Sequence, residues 1–197
     1  IGNYINENNP SLKILYVNSE NFTNEVIKSI RSGKKDNTED MIKLRDKYRN
    51  IDVLLIDDIQ FIIGKDATQE EFFHTFNSLY ENGKTIIISS DKHPKYMEIL
   101  DERYLTRFQM GLQVDVQPPN YETRKAILIQ LNQKHGDKIS DEILNYITEN
   151  ISSNIRELEG AYNKLIALSK ISSDEISLEM AKNSLKDIIN PNKTKVI

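Results

Sequence analysis

The chain has 197 residues, enough for one domain of ordinary size, or for a larger and a smaller one, with a sizeable buried core. Its 26 lysines and arginines stand against 30 aspartates and glutamates, which gives a net charge of −4. This balance is unlike the basic surface of a module that grips duplex DNA by itself, so any contact with nucleic acid must be local. Because there are no cysteines, disulfides, thiolate metal sites and cysteine nucleophiles are excluded.

No apolar run approaches the ~20 residues that a membrane-spanning helix needs. The N-terminus also lacks the basic and then apolar pattern of a signal peptide. Since the missing cysteines suit a reducing compartment, the sequence predicts a cytoplasmic protein without a membrane span.

Four short apolar runs predict strands. They are KILYVN at 13–18, DVLLI at 52–56, TIIIS at 85–89 and LQVDV at 112–116. The first three are apolar enough to be buried on both faces, which is typical of a parallel sheet covered by helices and predicts an α/β fold. Between the second and third runs, Thr68 and Glu71 have the spacing of a capping box, and the aromatic stripe that follows predicts a helix ending before Gly83.

The strand signals stop at the proline pair 118–119. Helical periodicity then predicts four helices, at about 122–134, 141–151, 154–169 and 178–189. The third helix opens with Asn154 and Glu157 in capping-box spacing. We therefore expect an α/β part over residues 1–117 and an all-helical part over residues 118–197, hinged at the prolines.

Two carboxylates end the second predicted strand. Asp57 and Asp58 directly follow its apolar residues, and ligands of open α/β sheets usually bind beyond the carboxyl ends of the strands. One acid could hold Mg²⁺, directly or through water, while its neighbour orients or deprotonates a water molecule. The other interpretation of such a pair is that it starts a loop or caps a helix.

The third predicted strand also finishes on polar residues, Ser89, Ser90 and Asp91. In an ATPase, a strand of this kind lies beside the acidic one and presents a polar side chain to the attacking water. That role is open to Asp91 or to Ser90.

Arg103 and Arg107 lie four residues apart, on one helical face. A guanidinium on a rigid element suits phosphate charge that grows in a transition state. The alternative is surface ion pairing with Asp101 and Glu102.

Arg156 falls in the first turn of the helix that starts at about residue 154. A cation at this position opposes the helix dipole and must be compensated by an anion. A nucleotide phosphate would serve, and so would Glu157 or Glu159.

Five segments, taken in order, resemble the DnaA family of bacterial replication initiators over essentially the whole chain. They are residues 45–61, which end in LLIDDIQF, 69–77 (QEEFFHTFN), 89–95 (SSDKHPK), 103–108 (RYLTRF) and 153–165 (SNIRELEGAYNKL). Together they are far more specific than any single motif. The resemblance implies a partial AAA+ nucleotide-binding domain with a parallel sheet and flanking helices over 1–117, and a helical lid with the start of a linker over 118–197.

The resemblance implies roles for individual residues in binding and hydrolysing ATP. Asp57 and Asp58 correspond to the Walker B acids, which act with ATP or ADP and Mg²⁺, Asp57 chiefly at the metal and Asp58 at the water. Asp91 belongs to the sensor 1 segment. Arg107 corresponds to the arginine finger offered to a neighbouring subunit's ATP, and Arg156 corresponds to the sensor 2 arginine.

Residues 21–50 resemble the initiator-specific helical insertion, which in the family lines a filament channel and touches single-stranded DNA. Ile27, Lys28 and Lys65 match the family's single-strand contacts, although alone they would indicate an amphipathic helix and a solvated lysine. The implied function is an ATP-dependent initiator of chromosomal replication that assembles into a homo-oligomer at the origin and helps to open and hold single-stranded DNA. A replicative helicase and regulators are its further implied partners.

The chain departs from the family pattern in three places. No G-x-x-x-x-G-K-[ST] loop occurs, although in the family this loop and the first strand lie immediately upstream of residues 1–4. We therefore expect that the natural product is longer and that these residues alone bind ATP very weakly. The chain also stops at residues 193–197, just before the family's domain for duplex DNA. Finally, Ala67 replaces a basic residue of some members, and residues 34–40 resemble a small insertion within a polar, mobile loop at 33–40.

Two other classes of protein share parts of this pattern. A receiver domain also has an acidic pair after an apolar strand, but its pair follows the first strand, and it needs a phospho-accepting aspartate two strands on and a late lysine. The alternative function is a nucleotide-free regulatory or scaffold module of the replication machinery with an AAA+ shape. A GxxxxGKT upstream of Ile1 in the gene would favour the ATPase, and its absence would favour the scaffold.

Overall fold

The computed structural model describes residues 1–32, 38–93, 106–108, 110–136, 138–172 and 176–189. The chain divides into two compact units, Ile1–Gln113 and Val114–Ile197, each with a buried core of its own. The domain boundary that the proline pair predicts, after residue 117, is close to this division and stays a prediction. Within the described ranges, no helix is both long and apolar enough to cross a membrane.

The first unit is a three-stranded parallel sheet with flanking helices, as the sequence predicts. Its elements are α1 (Gly2–Asn8), β1 (Ile14–Asn18), α2 (Ser19–Ser32), α3 (Thr38–Arg49), β2 (Val53–Asp57), a short 3₁₀ helix (Ile59–Ile62), α4 (Asp66–Glu81) and β3 (Thr85–Ile88). The strand order is β1-β2-β3, and the register pairs Asn18 with Asp57 and Ile56 with Ile88. The carboxyl ends of the three strands therefore meet at one edge of the sheet.

One face of the sheet carries the core of this unit. Leu54 and Ile56 lie two residues apart on β2, so their side chains point to the same face, where both are buried. Phe22 from α2 and Phe72 from α4 complete this core. The ring of Tyr48 from α3 meets the ring of Phe22 edge-on, with 4.9 Å between their centroids. Helices α2, α3 and α4 are thus anchored to the sheet by their aromatic residues.

The carboxylate of Glu71 on α4 links this helix to α3 through ion pairs. Glu71 is buried and accepts hydrogen bonds from Arg45 Nη2 at 3.1 Å and Arg49 Nη2 at 2.5 Å. The capping box predicted from Thr68 and Glu71 is therefore wrong, because α4 begins at Asp66 and Thr68 lies buried within its first turn. The Glu71 carboxylate, which the prediction assigned to the helix cap, instead forms ion pairs with Arg45 and Arg49 of α3.

Asp52 fastens the amino end of β2 to both neighbouring strands. Its carboxylate accepts from the Lys13 N–H at 2.9 Å and from Lys84 Nζ at 2.7 Å. The hydrogen bond from Lys84, followed by that from the Lys13 N–H, lowers the pKa of Asp52 below its ordinary value. The start of the sheet is therefore held by an ion pair within the chain.

The second unit consists of helices. They are α5 (Tyr121–Lys134), α6 (Asp141–Asn150), α7 (Ile155–Ser172) and α8 (Leu178–Ile189), close to the four helices that the sequence predicts. Leu128, Ile147 and Tyr162 are fully buried at their centre. The Tyr162 hydroxyl donates to Asn132 Oδ1 at 3.2 Å, and the Asn132 side chain also bonds the N–H and C=O of Ile139. This buried polar network fixes the connection between α5 and α6.

The strand predicted at 112–116 does not form, which corrects the sequence interpretation. Leu112, Val114 and Val116 are 92%, 72% and 89% exposed. A strand needs a neighbour for its N–H and C=O groups. In the described part of the chain no strand pairs with this segment or with the outer edge of β3. The alternating pattern is present, but no strand among the described residues pairs with it.

Candidate functional site

Polar residues from all three strands meet at the carboxyl edge of the sheet. Ser19 directly follows β1, Asp57 ends β2, Asp58 directly follows it, and Ser89 directly follows β3. The parallel register, which places Asn18 beside Asp57, brings these three strand ends together. This edge is where ligands bind in open α/β sheets.

Two hydroxyl groups orient the carboxylate of Asp57. Tyr16 on β1 donates to Asp57 Oδ2 at 2.9 Å, and Ser89 donates to Asp57 Oδ1. The Tyr16 ring is largely exposed. The hydrogen bond to Asp57, and then the negative charge of Asp57, raise the pKa of the Tyr16 hydroxyl above its ordinary value. These two hydrogen bonds, one to each oxygen, therefore fix the orientation of the Asp57 carboxylate.

Asp58 has a strained backbone. It is the one non-glycine residue in the described ranges with a positive φ, at φ 57° and ψ 52°. This left-handed conformation costs a residue with a side chain roughly 1 to 2 kcal/mol, although aspartate tolerates it better than most. The Asp58 carboxylate accepts from Gln60 Nε2 at 3.1 Å, its N–H donates to Ser89 Oγ at 3.0 Å, and its C=O accepts from Ser19 Oγ. Such strain, held in place by surrounding contacts, is typical of functional sites.

The side chain of the third strand that contacts the acids is Ser89. Asp91, predicted as part of sensor 1, is exposed and has no hydrogen bond or ion pair in the described part of the chain. The Ser90 hydroxyl accepts from the Lys92 N–H at 3.0 Å. The sequence interpretation chose between Asp91 and Ser90 and missed Ser89, although Ser89 is the first polar residue after the strand.

Arg107 lies against aromatic residues of α4. Its Cζ is 5.1 Å from the centroid of the Phe73 ring and 5.9 Å from that of Phe76. Cation–π contacts of this kind contribute ~0.5 to 1 kcal/mol at exposed sites. No carboxylate within the described ranges pairs with Arg107. Arg103 and the alternative partners at 101–102 lie outside the described residues.

Arg156 is exposed in the first turn of α7, in the second unit. The predicted capping box of this helix forms in part, because Asn154 Oδ1 accepts from the Glu157 N–H at 2.7 Å. The Glu157 carboxylate accepts from Ser153 Oγ instead of from the Asn154 N–H. Neither Glu157 nor Glu159 pairs with Arg156, and no other carboxylate of the described residues does so. The predicted alternative, an ion pair between Arg156 and Glu157 or Glu159, is therefore not formed.

Helices α2 and α3 occupy the insertion predicted at 21–50, and residues 33–37 of its polar loop lie outside the described residues. Ile27, at 36% exposure, and Lys28 lie on the surface of α2. Lys65 is exposed directly before α4, and its C=O accepts the first N–H bonds of that helix. All three residues predicted to contact DNA therefore lie on the surface of the first unit.

The acid pair suits Mg²⁺ better than a cation held by protein groups alone. No cluster of three or more histidine, cysteine or acidic residues exists among the described residues. Mg²⁺ usually keeps several waters and is bound by one or two carboxylates together with substrate phosphates. Asp57 and Asp58, at an edge open to solvent, supply that kind of donor set.

Comparison with known proteins gives a consistent family. The model of the family described as the bacterial DnaA ATPase domain matches residues 1–115. Over all 197 residues, the chain is 56% identical to the chromosomal replication initiator protein DnaA of Lachnoclostridium phytofermentans and 53% identical to that of Caldanaerobacter subterraneus. The chain spans 43% of the length of each of these relatives.

Solved structures agree with this result. Domain III of the Thermotoga maritima replication initiation protein DnaA aligns with a TM-score of 0.88 and 41% identity, covering 96% of this chain and 77% of that one. A replication initiator DnaA bound to AMPPCP and single-stranded DNA aligns with a TM-score of 0.74 and 30% identity, covering 94% and 54%. With its three-stranded parallel sheet, its acid pair and these matches, the chain belongs to the DnaA family and falls within the family's ATPase domain.

Proposed function

We propose that the protein carrying this chain is an ATP-dependent initiator of chromosomal replication, which assembles into a homo-oligomer at the origin and holds single-stranded DNA. The observation that carries the proposal is the acid pair at the carboxyl edge of the sheet, with Asp58 held in a strained conformation. Support comes from the relatives named as chromosomal replication initiators and from the related structure bound to AMPPCP and single-stranded DNA.

The two acids have different proposed roles, Asp57 at the metal and Asp58 at the attacking water. Asp57, oriented by Tyr16 and Ser89, would hold Mg²⁺ directly or through water. Bound there, Mg²⁺ would supply positive charge that neutralises phosphate. The Asp58 carboxylate, which Gln60 fixes, orients the attacking water and accepts its proton.

Three further residues serve the nucleotide. Arg156 compensates phosphate charge from the first turn of α7, since it has no ion pair of its own in the described part of the chain. Arg107 reaches the γ-phosphate of a neighbouring subunit, which makes assembly depend on ATP. Asp91 keeps its proposed sensor role, because it is exposed beyond β3 and available to a ligand.

Single-stranded DNA binds along α2 and the start of α4. Ile27 offers apolar contact to bases, and Lys28 and Lys65 offer charge to phosphates. In the cytoplasm, a replicative helicase and regulators would be the further partners of the assembled protein.

The full gene product tests the proposal through ATP-dependent assembly on single-stranded DNA, followed by light scattering. Arg107→Ala and Arg156→Ala should each abolish assembly, because each removes one half of the interface. A mixture of the two should recover short complexes, since together they form one complete interface. Lys170→Ala, at the other end of α7 from Arg156, is the control and should assemble normally.

Two results would contradict the proposal. A gene product that binds no ATP in calorimetry would support the nucleotide-free scaffold. If Arg107→Ala lowers ATP affinity at concentrations where no assembly occurs, Arg107 acts in its own subunit rather than in its neighbour's.

A further inference from the structure

We propose that Ser19 and Ser89, here called the serine clamp, are positioning residues that hold the backbone of Asp58 in its left-handed conformation and thereby aim its carboxylate at the attacking water. This inference rests on the proposed ATP hydrolysis.

The clamp grips both backbone groups of a single residue. The Asp58 N–H donates to Ser89 Oγ at 3.0 Å, and the Asp58 C=O accepts from Ser19 Oγ. Ser19 follows β1 and Ser89 follows β3, so the two serines reach Asp58 from the strands on either side of β2. Ser19 is fully buried. Side-chain hydroxyls thus replace the backbone partners that an ordinary strand residue would have.

Ser89 also joins the two acids. Its hydroxyl donates to Asp57 Oδ1 while accepting from the Asp58 N–H. Its own N–H donates to the Ile56 C=O, and its C=O accepts from the Ile59 N–H, both at 3.0 Å. A hydroxyl has one hydrogen to donate. Since that hydrogen goes to Asp57, the oxygen is left to accept from Asp58, and one group sets the direction of both acids.

The left-handed conformation of Asp58 occurs where β2 ends and the 3₁₀ helix begins. In a continuing strand, the side chains of Asp57 and Asp58 would alternate between opposite faces of the sheet. The turn at Asp58 ends this alternation, and the 3₁₀ helix that starts at Ile59 brings Gln60 Nε2 to 3.1 Å from the Asp58 carboxylate. An unrestrained aspartate would favour extended or right-handed backbone. A general base must be held within hydrogen-bond reach of its water, and the clamp supplies that restraint.

Ser89→Ala in the full gene product tests the clamp. We expect kcat for ATP hydrolysis to fall about tenfold or more, with a smaller loss of ATP affinity, because Tyr16 still orients the carboxylate of Asp57 and the arginines remain. Ser89→Thr keeps the hydroxyl and should restore most of the loss. Ser11→Ala is the control, since Ser11 is exposed in the turn before β1 and makes no hydrogen bond among the described residues. Ser19→Ala should show the same separation of kcat from affinity.

Amide hydrogen exchange separates positioning from a general loss of stability. In Ser89→Ala, the Asp58 N–H loses its acceptor, so its exchange should accelerate about fivefold or more, while the amide of Leu54 within β2 stays as in wild type. Unchanged protection of the Asp58 amide would overturn the clamp, and so would equal losses of kcat and affinity. If the wild-type gene product does not hydrolyse ATP, the proposed function fails, whereas selective loss of Asp58 protection would still support the clamp's hold on the backbone.

Discussion

Glu71 on α4 and Asp58 at the end of β2 are carboxylates with very different partners. Glu71 is 7% exposed and meets two guanidinium groups, from Arg45 and Arg49. Asp58 stands on a strained backbone at the open edge of the sheet. Within the described residues, its carboxylate accepts only from the neutral amide of Gln60.

This difference in partners distinguishes a carboxylate that stabilises the fold, Glu71, from one that is available for function, Asp58. The chain neutralises Glu71 itself, so removing that carboxylate leaves the guanidinium groups of Arg45 and Arg49 without their partner and destabilises the fold. The carboxylate of Asp58 faces no cation of the described chain, and its backbone conformation costs stability, so a folding role does not explain it. We therefore expect substitutions at the two sites to affect different measurements.

The largest effect on folding is expected for Glu71→Gln. This change should lower the free energy of unfolding by about 3 kcal/mol, the low end of the range for breaking a buried ion pair, since the Arg45 side chain is 46% exposed. Denaturant unfolding measures it. Glu70→Gln is the control, because Glu70 is exposed and its nearest partner, His74, lies 3.9 Å away. If the two variants are equally stable, Glu71 does not hold α3 to α4.

A smaller effect on folding is expected for Arg107→Ala. The guanidinium contacts the rings of Phe73 and Phe76 and pairs with no carboxylate in the described ranges. Its removal should therefore change the free energy of unfolding by about 1 kcal/mol or less. Thermal unfolding of the chain, with Arg107→Lys as the charge-preserving control, measures this. A loss as large as that of Glu71→Gln would place Arg107 among the structural charges.

The effect of Asp52→Asn on folding should depend on pH. Lys84 and the Lys13 N–H lower the pKa of folded Asp52, so its contribution to stability is present above the ordinary value of 3.8 and disappears as pH falls through the folded pKa. The stability gap between wild type and Asp52→Asn should thus close only below about pH 4. Urea unfolding from neutral to acidic pH tests this. A gap that closes near neutral pH would implicate another group.

Local sequence patterns predicted the helices and strands more accurately than they predicted the contacts between them. The three strands follow from short runs of apolar residues and α8 follows from helical periodicity, and neither pattern needs information from distant parts of the chain. The Thr68 and Glu71 spacing failed as a capping box because two arginines from α3 compete for the carboxylate. The run at 112–116 failed because a strand also depends on a neighbour.

The candidate site was partly predictable for the same reason. Asp57 and Asp58 were found because they follow a buried strand in sequence. Ser89 also lies at a predicted strand end, but the sequence assigns the polar role there to Asp91 or Ser90; Ser19 follows the first strand, where the same rule indicates it. The direction of each hydroxyl could not be predicted, because it depends on the strand register and on the left-handed turn at Asp58.

Asp58→Asn in the full gene product tests the central distinction most directly, with unfolding, ATP affinity and ATP turnover measured on one preparation. Asparagine adopts left-handed backbone readily, so the free energy of unfolding should fall by no more than about 0.5 kcal/mol. ATP affinity should stay within about threefold of wild type, while turnover falls ~10²-fold or more, the scale of losing a general base. A loss of stability like that of Glu71→Gln, or parallel losses of affinity and turnover, would contradict a functional role for Asp58 separate from folding and binding.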